Sequence, residues 1–282
     1  MNHFPFPDLD NVLCLGVAGN FAGHLEQAGE TPDFVNVKTQ NATEPKGLFP
    51  YYVPNNSGFL GQYPLSSSQI QYPEHLADNA HLQAEPEVCI LFEVSYQNHR
   101  VTALKPKAFS AFNDCSIRKP GAKKISEKKN WGEATKGISD QFIALNCFEK
   151  GGALDVFNIA SFLKRDGKIH AYGKDSSVLT YSYFHQQLTL WMIDKLNTQE
   201  DFGPLENLRE HIKTAGYPAH MLISLGATTY TEFGKSVFLQ PEDELFFYVY
   251  DTTENSAERI LEHANKNYPP PINTSVLHQK II

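Results

Sequence analysis

Long apolar runs are missing from this chain. No segment approaches the roughly 20 residues that a bilayer-crossing helix requires, so no membrane association by helices is expected. The N-terminus, Met1-Asn2-His3-Phe4-Pro5-Phe6-Pro7-Asp8, has no basic stretch leading into an apolar one, and no secretory signal is expected. Cysteine is scarce. Cys14, Cys89, Cys115 and Cys147 stand far apart and form no C-x-x-C pair, and three of them lie in apolar surroundings. That usage points to buried free thiols in a reducing, cytoplasmic compartment, with a reactive thiol at Cys115 left open. Positive charge is also short: 24 Lys and Arg against 32 Asp and Glu leave a formal net charge of -8. This argues against a general nucleic-acid or acidic-membrane surface. Neither an internal repeat nor a low-complexity linker divides the sequence.

With 41% hydrophobic and 20% charged residues, the 282 residues can bury an ample core, as one large domain or a small one beside a larger. The informative stretch is Ala84-Glu85-Pro86-Glu87-Val88-Cys89-Ile90-Leu91-Phe92-Glu93-Val94. Val88 to Phe92 reads as a strand buried on both faces, with two acids at its mouth. If the strand begins at Glu85, positions i and i+2 share a face and both carboxylates point the same way. At roughly 7 Å and an effective dielectric of about 20 they repel by about 2 kcal/mol, before any desolvation. A bound cation, a basic partner or plain exposure at a strand end would each offset this.

Along the rest of the chain, Asn11 to Ala18 reads as a short strand running into a glycine-punctuated segment around His24. Residues 43–80 read as short strands and ordered loops. Arg100 to Leu104 and Ala108 to Asp114 read as two further strands, followed by a basic patch at Arg118, Lys119, Lys123, Lys124, Lys128 and Lys129. Such runs are mostly solvated, although one beside clustered acids also draws in anionic ligands. Asp166-Gly167 signals a hairpin. Helices are expected over Tyr183 to Leu196, between Pro204 and Gly216, and from Ala257 to Ala264, the last stopped by Pro269-Pro270-Pro271. Met221 to Leu225 and Glu244 to Tyr250 read as strands. The mixture is mostly β with a few helices.

Four pieces then stand in order: Asn20-Phe21-Ala22-Gly23-His24, Glu85-Pro86-Glu87, Asn113-Asp114-Cys115-Ser116-Ile117-Arg118, and Lys136-Gly137-Ile138-Ser139-Asp140. This order resembles the fumarylacetoacetate hydrolase family, whose pattern runs N-Y-x-x-H-x-x-E, E-x-E, N-D-x-S-x-R-D and K-[SG]-F-D. Its closing G-T-P-x-G-x-G has a weak echo from Gly226 through Thr228 to Gly234. The resemblance covers roughly residues 11 to 250. It implies layered antiparallel β-sheets in a β-roll with peripheral helices, commonly as a homodimer. Within one structural domain, residues 1–42 would be an N-terminal strand and lid, 43–252 the catalytic β domain, and 253–282 a C-terminal helix and tail.

The resemblance also implies roles. Glu85, Glu87 and Asp114 would hold Mg²⁺ or Mn²⁺, which an all-oxygen site prefers over Zn²⁺. Lys136 would add positive charge toward a developing enolate, and His24, on the lid, would activate water. Asn20, Arg118 and Thr228 would contact a small anionic oxo-acid substrate. Departures are Gln27 where the family has the acid that orients the histidine, Lys119 where it has Asp, and the missing proline and glycines after Thr228. Gln27 accepts a hydrogen bond from imidazole but cannot stabilise an imidazolium, which tilts the reading from hydrolysis toward decarboxylation or tautomerisation. Hydration chemistry also occurs on this fold. The competing expectation is a non-catalytic chain that keeps the fold and binds a metal, ligand or protein partner.

Overall fold

The structure, a computed structural model, describes residues 3–5, 8–73, 81–118, 121–266 and 271–282. The apolar run lies in the strand Pro86–Gln97, whose first seven residues are buried on both faces. It pairs antiparallel with Arg100–Asn113 along its whole length. The two strands expected there are therefore one. Pro106, which cannot donate to a ladder, is accommodated opposite Phe92, where a bulge shifts the register between Leu91 and Phe92.

Among the described residues the main sheet runs in the order His3–Phe4, Phe142–Ala144, Arg100–Asn113, Pro86–Gln97, His220–Ser224, Leu13–Ala18 and Gly47–Tyr52. Lys136–Ile138 branches from Arg100–Asn113 and also pairs with Leu65–Ser66. A second sheet orders Lys168–Ser177, Phe157–Arg165, Glu244–Asp251, Thr274–Ile281 and Gln69–Ile70. Among the described residues the layers are antiparallel except at three pairings: Leu13–Ala18 with His220–Ser224, Lys136–Ile138 with Leu65–Ser66, and Thr274–Ile281 with Gln69–Ile70. In the expected hairpin, Asp166 and Gly167 have φ of 52° and 74°, the left-handed pair of a tight two-residue turn that matches strand twist. The sheets meet through aromatic side chains: the fully buried rings of Phe109 and Phe157 pack edge to face at 4.9 Å, each burial being worth about 1.5–3 kcal/mol.

Helices His185–Thr198, Leu208–Thr214 and Ala257–Lys266 lie at the periphery. The second begins at Asn207, not near Pro204, because the Asn207 side chain accepts hydrogen bonds from the backbone N–H of Arg209 and Glu210. Pro269 and Pro270 lie outside the described residues. Beyond them the tail is a strand, Thr274–Ile281, inside the second sheet, where no element was expected. Among the described residues no helix is long and apolar enough to cross a membrane.

Candidate active site

The first carboxylate is fixed by backbone. The Glu85 N–H donates to the Asn113 side-chain oxygen at 3.0 Å, and the Asp114 N–H donates to the Glu85 carbonyl at 3.0 Å. These bonds explain the Asn113-Asp114 pair: asparagine holds the entry to one strand while aspartate leaves the end of the other. Glu87 Oε2 accepts from the Gly226 N–H at 2.8 Å, and Gly226 has φ of 115°, a conformation that favours glycine. The result is that Glu85, Glu87 and Asp114 offer oxygens within 4.8 Å of one another, all buried. Strand-end exposure does not explain the E-x-E.

Cations of the chain itself surround these acids. Lys129 Nζ lies 2.7 Å from both Glu85 Oε2 and Asp114 Oδ2, and Lys136 Nζ lies 3.2 Å from Asp114 Oδ1 and donates to the Cys115 carbonyl. Arg118 Nη1 approaches Glu85 Oε1 and Glu30 Oε1, each at 2.8 Å. Burial opposes an ionised Glu85, yet Lys129 and Arg118 hold its carboxyl below the usual range. Glu87 goes the other way: burial, then the charges of Asp114 and Glu85, push it well above that range. Burial disfavours the Lys129 charge, but Asp114 and Glu85 hold its ammonium above the ordinary value. Lys136, fully buried, is lowered by desolvation.

Gly137, next to Lys136, pairs with Asn113 at the strand end beside the acids. A Cβ at Gly137 would stand 2.1 Å from Gln279 Oε1, which itself accepts from the Asn113 amide, so the strand approaches closely only as glycine.

The segment carrying His24 is closed over the acids. Gly23, at φ 80°, starts a single turn, His24–Gln27, and Glu30 and Asp33 beyond it meet Arg118 and Lys128. His24 is buried. Its Nδ1 lies 3.0 Å from the Thr228 carbonyl, while its Nε2 has no hydrogen-bond partner and sits 3.9 Å from Glu85 Oε2. Desolvation lowers the imidazole pKa below 6.5. The cleft is lined by Asn20, His24, Glu30, Glu85, Glu87, Asp114 and Lys129, with room left for about one water molecule.

Several expected roles change. Gln27 does not orient His24: its side-chain oxygen accepts from the Tyr230 N–H at 2.8 Å, stapling the lid to the distant loop that carries Thr228 and Tyr230, and the Thr228 carbonyl takes the orienting position. Asn20 lines the cleft, but its amide donates to Tyr183 and Leu225 carbonyls and accepts from the Tyr183 N–H, which leaves it little for a substrate. The Arg118 fork is committed to Gln83, Glu30, Glu85 and Tyr230. The Thr228 hydroxyl is buried without a partner. Burial pushes the Cys115 thiol up to about 12, so it is no reactive thiolate. Lys119 lies outside the described residues. Lys129, which its sequence neighbours place in a solvated basic patch, stands instead between the acids.

A model of the Family of unknown function (DUF5718) matches residues 30–281, taking in the three carboxylates and Lys129 and beginning after His24. No curated protein matches the sequence. Among solved structures, Cg1458 with an inhibitor aligns over 99% of this chain and 78% of its own at 12% identity, with a TM-score of 0.54. A 2-keto-3-deoxy-D-arabinonate dehydratase, complexed with magnesium and 2,5-dioxopentanoate, aligns over 96% and 73% at 14% identity, with a TM-score of 0.52. At these identities the likeness is one of fold, and the fold is the fumarylacetoacetate hydrolase-like one that the motif order implies.

Proposed function

The chain belongs to the Family of unknown function (DUF5718), and from that premise and the geometry above we propose that it is a divalent-metal-dependent enzyme. It would act on a carbon–carbon bond of a small oxo-acid or acylpyruvate-like substrate, by hydrolysis or decarboxylation, as a cytoplasmic homodimer. One observation carries the reading: three buried carboxylates, two from the mouth of one strand and the third from just beyond the end of its neighbour, bring oxygens within 4.8 Å of one another. The donor set fits a hard ion such as Mg²⁺ or Mn²⁺, being all oxygen. Glu85 Oε1 and Asp114 Oδ1 make no hydrogen bond of good geometry. The magnesium-bound dehydratase of like fold supports the same choice of ion. Glu85, Glu87 and Asp114 would hold such an ion, and the chemistry it would supply is Lewis-acid stabilisation of negative charge on a substrate oxygen.

The chain's own groups account for the rest. The Thr228 carbonyl selects the tautomer of His24 that carries its proton on Nδ1, leaving the Nε2 lone pair toward the cleft as a proton acceptor. Lys136 adds charge beside Asp114. The closed lid keeps bulk water out, which strengthens every charge inside.

The test is calorimetric binding of Mn²⁺ to metal-stripped protein in the presence of oxalate, with Glu87→Ala alongside. Micromolar-range binding lost in the variant is expected. Absence of binding to both proteins would overturn the metal site. With binding established, release of CO₂ from an oxo-acid panel marks a decarboxylase, and a new carboxylate from an acylpyruvate marks a hydrolase.

A further inference from the structure

The geometry points to Lys129 as the resident cation of the carboxylate cluster, a tethered ammonium paired with two of the three acids that would hold a divalent ion, and one that such an ion must displace. The inference rests on the metal reading above and concerns how the ion gains entry.

Three observations carry it. First, the Nζ position is equidistant, 2.7 Å from an oxygen of each acid, and those are two of the three candidate ligands. Any ion binding the same pair together with Glu87 would lie within a few ångströms of the ammonium, where like charges in a desolvated site repel strongly. Second, Lys129 is not a surface lysine that happens to reach inward. It is 2% exposed, and its Nζ lies 5.2 Å from the centre of the Phe49 ring, so the alkyl stem and the charge are both built into the cleft wall. Third, with the lid closed and the ammonium in place, the cleft holds about one water.

The surroundings show how the lysine could leave. Lys129 follows the single turn Ile125–Lys128, and the backbone is anchored on its far side by Asn130, whose amide donates to the carbonyls of Tyr51 and Gln62. The adjacent Lys128 bonds Asp33 of the lid at 2.5 Å and stands 3.6 Å from Glu30. One short segment therefore supplies both the cation that fills the carboxylates and the cation that latches the lid.

The experiment compares wild type with Lys129→Met, of similar length and no charge, by calorimetry with Mn²⁺ alone on metal-stripped protein. The variant should bind at least tenfold tighter than wild type, since the competing charge is gone. Its metal-free form should melt below wild type and recover more when Mn²⁺ is added. A second measurement needs no substitution: labelling of wild type by an amine-directed reagent, read at Lys129 by mass spectrometry. Lys129 should be protected in metal-free protein and become reactive in saturating Mn²⁺. Equal Mn²⁺ affinity in the two proteins, or Lys129 labelling unchanged by bound Mn²⁺, would overturn the tethered-cation role while leaving the metal site standing. Failure of both proteins to bind Mn²⁺ would overturn the metal reading itself, and this role with it.

Discussion

His24 Nδ1 lies 3.0 Å from the backbone carbonyl of Thr228, so a main-chain oxygen, not an acidic side chain, orients the imidazole. A carbonyl accepts only from N–H, which fixes the proton on Nδ1 and leaves Nε2 unprotonated. Burial holds the ring pKa below 6.5, so His24 is neutral at pH 7. Long-range ¹⁵N NMR should find this tautomer and a titration midpoint under 6.5. A protonated ring at pH 7 would contradict the assignment. The sign for stability follows. The unfolded chain takes up this proton first as pH falls through 6.5, so His24 costs stability there. In a turnover assay, His24→Asn should lower kcat by about 10²–10⁴-fold.

Arg118 is the hub between the lid and the strand mouth, touching Glu30 and Glu85 at 2.8 Å while donating to Gln83 and Tyr230. Arg118→Met leaves two buried carboxylates without this counter-charge and should cost about 3–5 kcal/mol in urea unfolding. Arg118→Lys keeps the charge but loses the planar fork, and a smaller loss is expected. A cost below about 1 kcal/mol for the methionine variant would mean that Glu30 and Glu85 relax to other partners.

Much of this site was readable in the residues because it lies where local rules are strong. The apolar run Val88–Phe92 could hardly be anything but a buried strand, and Asp166-Gly167 carries its turn in its side-chain chemistry. Glu85, Glu87 and Asp114 were legible as a group only through the order of motifs, because the bonds that join them run between separate strands. Lys129 was not legible. Lysines in a charge run are usually solvated, and nothing local distinguishes the one that turns inward to acids 15 and 44 residues away. The final strand was hidden for a related reason: Thr274–Ile281 owes its state to pairing with Glu244–Asp251 and Gln69–Ile70, while the prolines before it suggested an ending. The role of Gln27 is not legible locally either, because its bond to the Tyr230 N–H depends on a loop some 200 residues later.

The Thr228 hydroxyl offers a cheaper discrimination. Fully buried with no partner, it gains nothing for the fold in its present state. Thr228→Val removes that hydroxyl with little change of shape, so stability should stay within about 0.5 kcal/mol of wild type or rise slightly. A hydroxyl that serves substrate would show itself as a raised KM in the same variant. Destabilisation beyond about 1.5 kcal/mol would reveal a structural bond that the substitution broke.

Glu87 sets the expected pH dependence of metal binding. Burial, together with Asp114 and Glu85, raises its carboxyl well above 4.5, so the metal-free site binds its proton through a range where a free glutamate is ionised. Ligation requires the carboxylate, and binding must therefore release that proton. The sign is fixed: Mn²⁺ affinity rises as pH increases above 4.5, by up to about tenfold per unit for each proton released, and levels off once Glu87 is ionised in the metal-free protein. Lys129 adds no proton to this count, because its ammonium is held above the ordinary value and is displaced still charged. Calorimetry in buffers of different ionisation enthalpy reads the release directly. Burial raises the Asp114 carboxyl too, so one proton lost per ion, falling toward zero as pH rises, identifies Glu87 as the group only if Glu87→Gln abolishes the release. Release that is zero at all pH values would mean that Glu87 is already ionised, and that the chain's own cations neutralise the cluster before any metal arrives.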